Sequence, residues 1–528
     1  MSGQLRTSIA RGRAALAAAL AATLFLAACE VGPDYHRPSA PVPAAYKEAQ
    51  GWKPAEPQLA ASRGPWWSVY NDTVLDGLER EVDVSNQTLK ASEAAYRQAA
   101  ALVREANAGL FPTVTSTASA QRAQSGGTSR STTTGATIQP RVANSFALSG
   151  TGTWDLDLWG RIRRTIESDV ANAQASAADL AAARLSAQAS LATAYFNLRA
   201  ADQLQRLLND TVAAYQHTLD IVRNQYDVGV AARSDVASAE TQLESTRALS
   251  INVGVQRALY EHAIAILVGK APADFALPPT GLTETVPVMP TGLPSTLLER
   301  RPDIAVAERD MASANALIGV AQSAYFPDVS LSAAFGYASP VVGQLFSAAN
   351  QLWSFGGAAT ETLFDAGARS AEVDAARAVY DQTVATYRQT VLAGFQQVED
   401  ELATLRILEQ QAEVEGIAVK SAEEAVRLTL NEYKAGTIAY TTVIIAQAAA
   451  LGDEQTALAI RQNRLVASVT LIEALGGGWE ASQLPNRDQI DDGVVPAPSA
   501  APTAASAPAE EPKPAPSKPG LFERLFGG

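Results

Sequence analysis

The chain has 528 residues, 47% of them hydrophobic and only 18% charged, with a formal net charge of −14 and a single cysteine. So acidic a chain, with no basic patch, is unsuited to nucleic acid, and one thiol excludes a disulfide framework. The length allows several domains or one elongated one.

Residues 1–28 hold Arg6, Arg11 and Arg13, no acid, and an apolar run from Ala14 to Ala28. A basic start before so short a run reads as a secretory signal peptide, not a spanning helix. Its removal takes away three positive charges and leaves the remainder nearer −17. The run ends in Leu26-Ala27-Ala28-Cys29, which resembles the bacterial lipobox, where cleavage precedes a cysteine that then carries the lipid. An ordinary signal beside a chance cysteine is the alternative. Past residue 28 no apolar run is long enough for a membrane helix, so any crossing is made by strands.

Residues 29–70 read as an extended N-terminal segment, rich in Pro, Ala and Gln between 38 and 65. A helical pattern then runs from about Asn71 to Leu110 and stops at Phe111-Pro112, where proline disfavours helix before it. The period changes to two in residues 145–158. Phe146, Leu148, Gly150, Gly152, Trp154, Leu156 and Leu158 alternate with small or polar residues, which predicts a strand with one apolar face. A weaker strand is expected at about 113–122. Helical pattern returns from Gly160 to Tyr226, roughly 100 Å at 1.5 Å per residue. It ends at "YDVGVAARSD", where Gly229 suits a left-handed turn and Ser234 or Asp235 can cap the next helix, which runs to Val268.

The chain then repeats. "ALVREANAGLFPTVTSTA" (101–118) aligns with "ALIGVAQSAYFPDVSLSA" (316–333) at an offset of 215, and "YDVGVAARSDVASAE" (226–240) with "YKAGTIAYTTVIIAQ" (433–447) at 207. Strands are again expected at about 328–338 and 351–363. Two repeats, 71–270 and 301–480, each read helix–strand–strand–helix–turn–helix, joined by a linker at 271–300. Residues 481–528 read as a Pro/Ala-rich tail whose composition predicts disorder, ending in "LFERLFGG", a short apolar docking segment or a stretch with no role. Val384, Tyr387, Val391, Phe395, Val398, Leu402 and Leu405 step by three and four, the spacing of helices packed side by side.

The expected fold is mainly α, a shaft about 100 Å long with a strand hairpin at one end and a helical turn at the other. Four strands cannot close a barrel, and an open edge in lipid leaves backbone groups unpaired. An apolar outer face therefore demands two or three chains, for eight or twelve strands. A soluble β-sandwich is the alternative.

Four motifs, "VGPDYHRP" (31–38), "WDLDLWGR" (154–161), "LERRPDI" (298–304) and "EALGGGW" (473–479), together resemble the TolC-like outer-membrane factor family, in its NodT-type efflux lipoprotein branch. The resemblance covers residues 29 to about 485. It implies a homotrimer with a twelve-strand transmembrane β-barrel, a long periplasmic α-helical barrel, and an equatorial position for the linker. It also implies an exit duct of a tripartite pump, with a periplasmic adaptor and an RND-type inner-membrane transporter as partners. Cys29 would carry the lipid and touch outer-membrane lipid. Glu30 lacks the aspartate that holds enteric lipoproteins at the inner membrane, which favours the outer one.

By the same resemblance, Tyr226, Gly229 and Asp235, with Tyr433, Gly436 and Tyr440, lie at the periplasmic tips where the adaptor docks. Helix ends there carry unpaired backbone groups that a partner can satisfy. Asp235, Thr442 and Ile445 are the expected aperture. Many members carry aspartates at positions matching Thr442 or Ile445; this chain keeps an acid only at Asp235. Three copies of Ile445 form an apolar constriction that seals by dewetting, or Ile445 simply packs its helix. In "LERRPDI", Pro302 fits a first helical turn and Asp303 its positive end, while Glu299 can pair with Arg300, Arg301 or a neighbouring chain. Trp154 and Trp159 suit a membrane–water interface, and Asp155 and Asp157 would face the lumen.

No enzyme is expected: His36, His217 and His262 are isolated, and no nucleophile–base set, cofactor or metal motif appears. The other alternative is a structural coiled-coil envelope lipoprotein without a pore, which leaves four amphipathic strands unused.

Overall fold

A computed structural model describes residues 30–48, 65–124, 129–130, 137–138, 142–287 and 298–493. The signal peptide, Cys29, residues 288–297 of the linker and the tail beyond residue 493 lie outside the described residues.

The duplication is metrical. Helix α1 (Thr73–Ser85) and α2 (Gln87–Ala108) precede strands β1 (Thr113–Gln124) and β2 (Val142–Leu156). Helices α3 (Arg161–Asp227) and α4 (Arg233–Leu267) complete the first repeat. The second runs α5 (Pro302–Ser323), β3 (Asp328–Ser339), β4 (Gln351–Thr360), α6 (Ala368–Lys434) and α7 (Tyr440–Ala474). Helices α2 and α5 both have 22 residues, α3 and α6 both 67, α4 and α7 both 35. At 1.5 Å per residue the long pair spans about 100 Å.

The four strands form one antiparallel sheet in the order β1-β2-β3-β4. Register sets Val114 against Gly152, Trp154 against Leu331, and Phe335 against Trp353. Side chains alternate along each strand, so one face gathers Val114, Leu148, Trp154, Leu331, Phe335, Trp353 and Phe355. The other gathers Thr115, Thr151, Ser149, Ser332 and Ser354. Residues 129–130 and 137–138 pair as a short ladder between β1 and β2.

Differences from the sequence-based expectation have local causes. The helix expected over about 72–110 breaks at Asn86, whose Oδ1 accepts from Thr88 N and Leu89 N while its Nδ2 donates to Leu267 O at the end of α4 (2.8 Å). The break seats the end of α4 against the α1–α2 joint. Strands β2 and β4 end at Leu156 and Thr360, short of 158 and 363, because the next helices claim the following acids. Asp157 accepts from Ile162 N and Arg163 N, and Asp365 accepts from Gly367 N and Arg369 Nε. Asp157 is therefore a buried helix cap, not a lumenal carboxylate. The tail begins later than residue 481: a turn at 481–483 leads into α8 (Arg487–Asp491), whose Ile490 is buried against Ala100, Val103 and Ala173.

Residues 30–48 form an extended strap along the shaft. Val31 N donates to Trp159 O, Asn315 Nδ2 to Pro33 O, Tyr35 OH to Glu308 Oε1, and Lys47 N and Glu48 N to Glu399. Arg164, buried, binds Val31 O, Asp34 and Glu30. Gly32, at φ 114°, packs against Gly319, where a side chain on either would strike backbone.

The largest core lies mid-shaft, where α1, Trp66, Trp67 and Tyr70 cover Leu191, Tyr195 and Phe196 of α3 and, across them, Tyr387 and Leu402 of α6. Arg199, Asp202 and Arg257 form a buried ion network there, and their guanidinium groups also hold Pro278 O and Leu277 O of the inter-repeat segment. Glu79 of α1 is fully buried with no hydrogen-bond partner for either carboxyl oxygen, one turn before Asp83. Burial, reinforced by Asp83, pushes the Glu79 carboxyl well above the usual carboxylate range. The folded protein thus holds a proton that the unfolded chain releases near pH 4.5, and stability falls as pH rises above that value. Glu79→Gln should raise the unfolding temperature at pH 8, with the gap to wild type closing toward pH 4; scanning fluorimetry across pH in detergent checks this.

Candidate functional site

Each repeat reverses at the end of its long helix through the same backbone device. Gly229 (φ 79°) closes the first turn, with Val230 N donating to Gln225 O (2.8 Å) and Gly229 N to Tyr226 O (2.9 Å). Gly436 (φ 74°) closes the second, with Thr437 N donating to Glu432 O (3.0 Å) and Gly436 N to Tyr433 O (2.9 Å). This paired-bond motif satisfies the last carbonyls of a helix and needs a residue with φ > 0. The α4 N-terminus is then held by Asp235, whose Oδ2 accepts from Ala232 N (3.2 Å); Ser234 makes no cap.

Between the two turns lies an apolar cluster to which α3 contributes Tyr215, Leu219 and Val222, α4 Val236 and Leu243, and α6 and α7 Tyr433, Tyr440 and Val443. The rings of Tyr433 and Tyr440 sit 5.2 Å apart, and Tyr215 OH donates to Gln447 O on α7 (3.2 Å). Burial pushes the Tyr440 hydroxyl up to about 12, and raises Tyr433 as well, with Asp235 adding to both. The two hairpin ends therefore form one body.

This placement corrects the reading of two tip residues. Tyr433 and Tyr440 are 5% and 2% exposed, so their rings knit the tip together and offer no docking surface. Tyr226 is exposed, and so are Val228 and Val230, which flank Gly229 and were not singled out in the sequence. A V-G-V triplet at a predicted turn was the available signal. Thr442 and Ile445 stand one helical turn apart on the exposed side of α7, and Ile445 is 70% exposed. Asp235 is half-buried, on a different helix.

The remaining motif residues serve joints. Arg301 is buried at the N-terminus of α5, which begins at Pro302, and pairs with Asp303 (2.6 Å) rather than Glu299. It also donates to Gln397 Oε1 on α6 (2.8 Å) and to Ala474 O, the last residue of α7 (3.0 Å). The Arg300 carbonyl lies against Gly476. At the sheet base, Trp154 Nε1 donates to Leu110 O, while Trp159 Nε1 donates to Pro327 O and its ring stacks on Phe326 at 4.8 Å. Among the described residues no cluster of three or more His, Cys, Asp or Glu could hold a metal, and no helix is long and apolar enough to cross a membrane.

The family model of outer membrane efflux proteins matches residues 80–270 and 293–477. Over 464 residues the chain is 32% identical to the toluene efflux pump outer membrane protein TtgC of Pseudomonas putida, covering 87% of this chain and 95% of that one. It is 28% identical over 460 residues to the cation efflux system protein CusC of Escherichia coli, covering 87% and 97%. The solved outer-membrane channel OprN superposes with a TM-score of 0.78 at 30% identity, covering 85% of this chain and 100% of that one.

A Cβ added at Gly229 or Gly436 meets no atom within 4 Å, whereas at Gly476 it would fall on Arg300 O. Gly436→Ala should therefore cost only the left-handed backbone penalty, about 1–2 kcal/mol. Gly476→Ala should cost distinctly more and separate α7 from α5. Denaturant unfolding of the two variants side by side gives the comparison.

Proposed function

The chain belongs to the outer membrane efflux protein family and is an outer-membrane channel of an efflux pump, and we propose that it works as a homotrimeric exit duct fed by a periplasmic adaptor and an RND-type transporter. The family is one of channel proteins, not enzymes.

The observation that carries the reading is the sheet: one apolar face, one small or polar face, and two unpaired edges, β1 and β4. Neighbours in the chain run α2–α3–α5–α6 beneath the sheet and α4–α3–α7–α6 toward the tips. Helix α3, in the middle, buries residues along both flanks, whereas α6 buries a single stripe. Exposed apolar residues remain on α4 (Ile251, Val255, Leu259, Ile266) and on α6 (Ile407, Val414, Ile417, Leu428). One seam accounts for all of this: β4 and α6 of one protomer against β1, α2 and α4 of the next. Three copies, the number the family resemblance implies, give twelve strands and leave no edge in lipid.

The tips are the adaptor's docking site, with Tyr226, Val228 and Val230 as exposed contacts around Gly229. Asp235, Thr442 and Ile445 lie near the aperture, where three copies of Ile445 narrow the duct and expel water from it. The strap carries Glu30 to Gly160 and Arg164 at the base of the sheet, one residue from Cys29. A lipid on Cys29 would there enter the inner leaflet as an auxiliary tether to a barrel already anchored. A toluene pump protein and a cation system protein match this chain over similar lengths, which supports a passive duct whose cargo the inner-membrane partner selects.

The purified protein should migrate as a heat-modifiable trimer and form pores in planar bilayers, and a deletion strain should become sensitive to dyes, detergents and antibiotics; a monomer without pores would sink the reading. Ile445→Ala should raise the closed-state conductance, and an unchanged closed state would return Ile445 to simple packing. Cys29→Ser behind a replacement signal should still give an outer-membrane trimer, in reduced yield. Complete loss of insertion would make the lipid the primary anchor.

A further inference from the structure

We propose that the groove between α3, α4 and α7 is a binding site for uncharged, largely apolar small molecules on the inner wall of the duct. The inference rests on the duct reading and adds to it a place where cargo is held on its way through. The groove has a volume of about 370 Å³ and is lined by one protomer alone.

Its direction follows from the helix that forms its floor. On α3, Arg199 donates to Pro278 O, Arg206 to Pro279 O, and Asp202 accepts from Thr280 N, so all three hold the inter-repeat segment. Asn197, Ala201, Leu204 and Leu208 line the groove. At about 100° per residue the two sets stand on opposite sides of the helix. Gln174 and Gln188, which hold Pro485 O and Trp66 Nε1, fall on the side of the inter-repeat segment. Non-helical chain therefore belts one face of the shaft. Three such belts inside a duct would fill it, so the belt is outside and the groove inside. The next protomer does not cover it either. On α4, the apolar residues left for the seam, Ile251, Val255 and Leu259, lie roughly 100° around the helix from Asn252, Val253 and Gln256 of the groove.

The lining selects for neutral molecules. Ala201 on the floor and Ala459 on the α7 wall leave the space, and Leu204, Leu208 and Val253 make it apolar. Five carboxamides surround it, from Asn197, Asn252, Gln256, Gln455 and Gln462. Gln462 Nε2 donates to Asn197 Oδ1 (2.7 Å). The side chains of Asn252, Gln256 and Gln455 have no hydrogen-bond partner among the described residues. Each of these amides offers two donor hydrogens and an acceptor oxygen. Among the described residues that line the groove there is no Asp, Glu, Lys, Arg or His. An ion entering it would lose water without meeting a counter-charge, whereas a neutral molecule gains apolar contact at little cost. An apolar lining with a few free polar groups is the make-up of a small-molecule site.

The test uses the full chain in lipid nanodiscs, free of competing detergent, with 4-(hydroxymethyl)benzophenone as a neutral photoreactive probe. Expected is saturable labelling, mapped by peptide mass spectrometry to residues 249–260 and 455–462. Ala459→Trp fills the groove from an exposed position and should reduce labelling several-fold while leaving the heat-modifiable trimer intact. Asn252→Trp, from the opposite wall, should do the same. Benzophenone-4-carboxylate should label these peptides several-fold less. Labelling that does not saturate, that survives both tryptophan variants, or that the carboxylate equals overturns the site.

The direction is tested on intact cells in a Cys29→Ser background with a replacement signal. A membrane-impermeant maleimide dye too large for porins enters the duct from outside, so it should label Ala459→Cys and not the exposed Ala276→Cys of the inter-repeat segment. Label on Ala276→Cys, or none on Ala459→Cys, overturns the inner-wall placement. Pore conductance is recorded on the same protein. Pores without saturable labelling count against the site alone, and absent pores count against the duct reading.

Discussion

Unpaired backbone at the edges of a membrane sheet is the constraint on which the rest of this structure depends. In hydrocarbon each unsatisfied N–H or C=O costs several kcal/mol, so a strand may not end a sheet there. The chain supplies four strands and leaves β1 and β4 open. Closure has to come from other copies, and that requirement passes down into the shaft, because every strand is continuous with a helix. The order of helices around the shaft copies the order of strands above it. An edge at the sheet is therefore an edge at the helices, and the thin burial of α6 beside the two-sided burial of α3 has the same origin as the free edge of β4.

Equal lengths make that transfer possible. If α3 and α6 differed by even one turn, about 5.4 Å, the two hairpin ends would not meet at one level. They do meet: Tyr433 and Tyr440 from the second repeat complete a cluster begun by Tyr215 and Leu219 from the first. The reversals are set by left-handed glycines in register, Gly160 with Gly367, Gly229 with Gly436, and Gly269 with Gly476. Two of those six sit where a Cβ would strike a carbonyl, at Ser85 for Gly269 and Arg300 for Gly476. The mid-shaft joints are thus sterically closed, while the tip glycines have open space around them.

The fold was legible to the extent that its signals were local and periodic. The alternation of residues 145–158, the prolines after Phe111 and Phe326, and the two sequence offsets each report backbone geometry within a few residues of themselves. Features that depend on a distant neighbour were not legible. Asn86 looks tolerable inside a helix until the end of α4 is known to need its amide. Asp157 continues the strand's polar alternation, yet the first turn of α3 takes its carboxylate. Alone, Tyr433 and Tyr440 read as turn residues, and only the four-helix junction buries them. Helix α8 carried no periodic pattern, since one isoleucine and a few polar bonds hold it.

The repeats also diverge, and the divergence is set by what each must touch. Only the first long helix begins beside the strap, and it alone carries an arginine, Arg164, that gathers Val31 O, Asp34 and Glu30. Only the second repeat opens on Arg301, at the start of α5, which joins α5, α6 and the end of α7. The tips differ in the same way: Asp227 and Val230 in the first stand where Lys434 and Thr437 stand in the second. Three protomers with two unlike tips present six helical ends in three alternating pairs, not six equal ones. A partner docking on the tips, as proposed, would meet a threefold pattern and not a sixfold one, because the two copies of the duplicated unit are chemically distinct there.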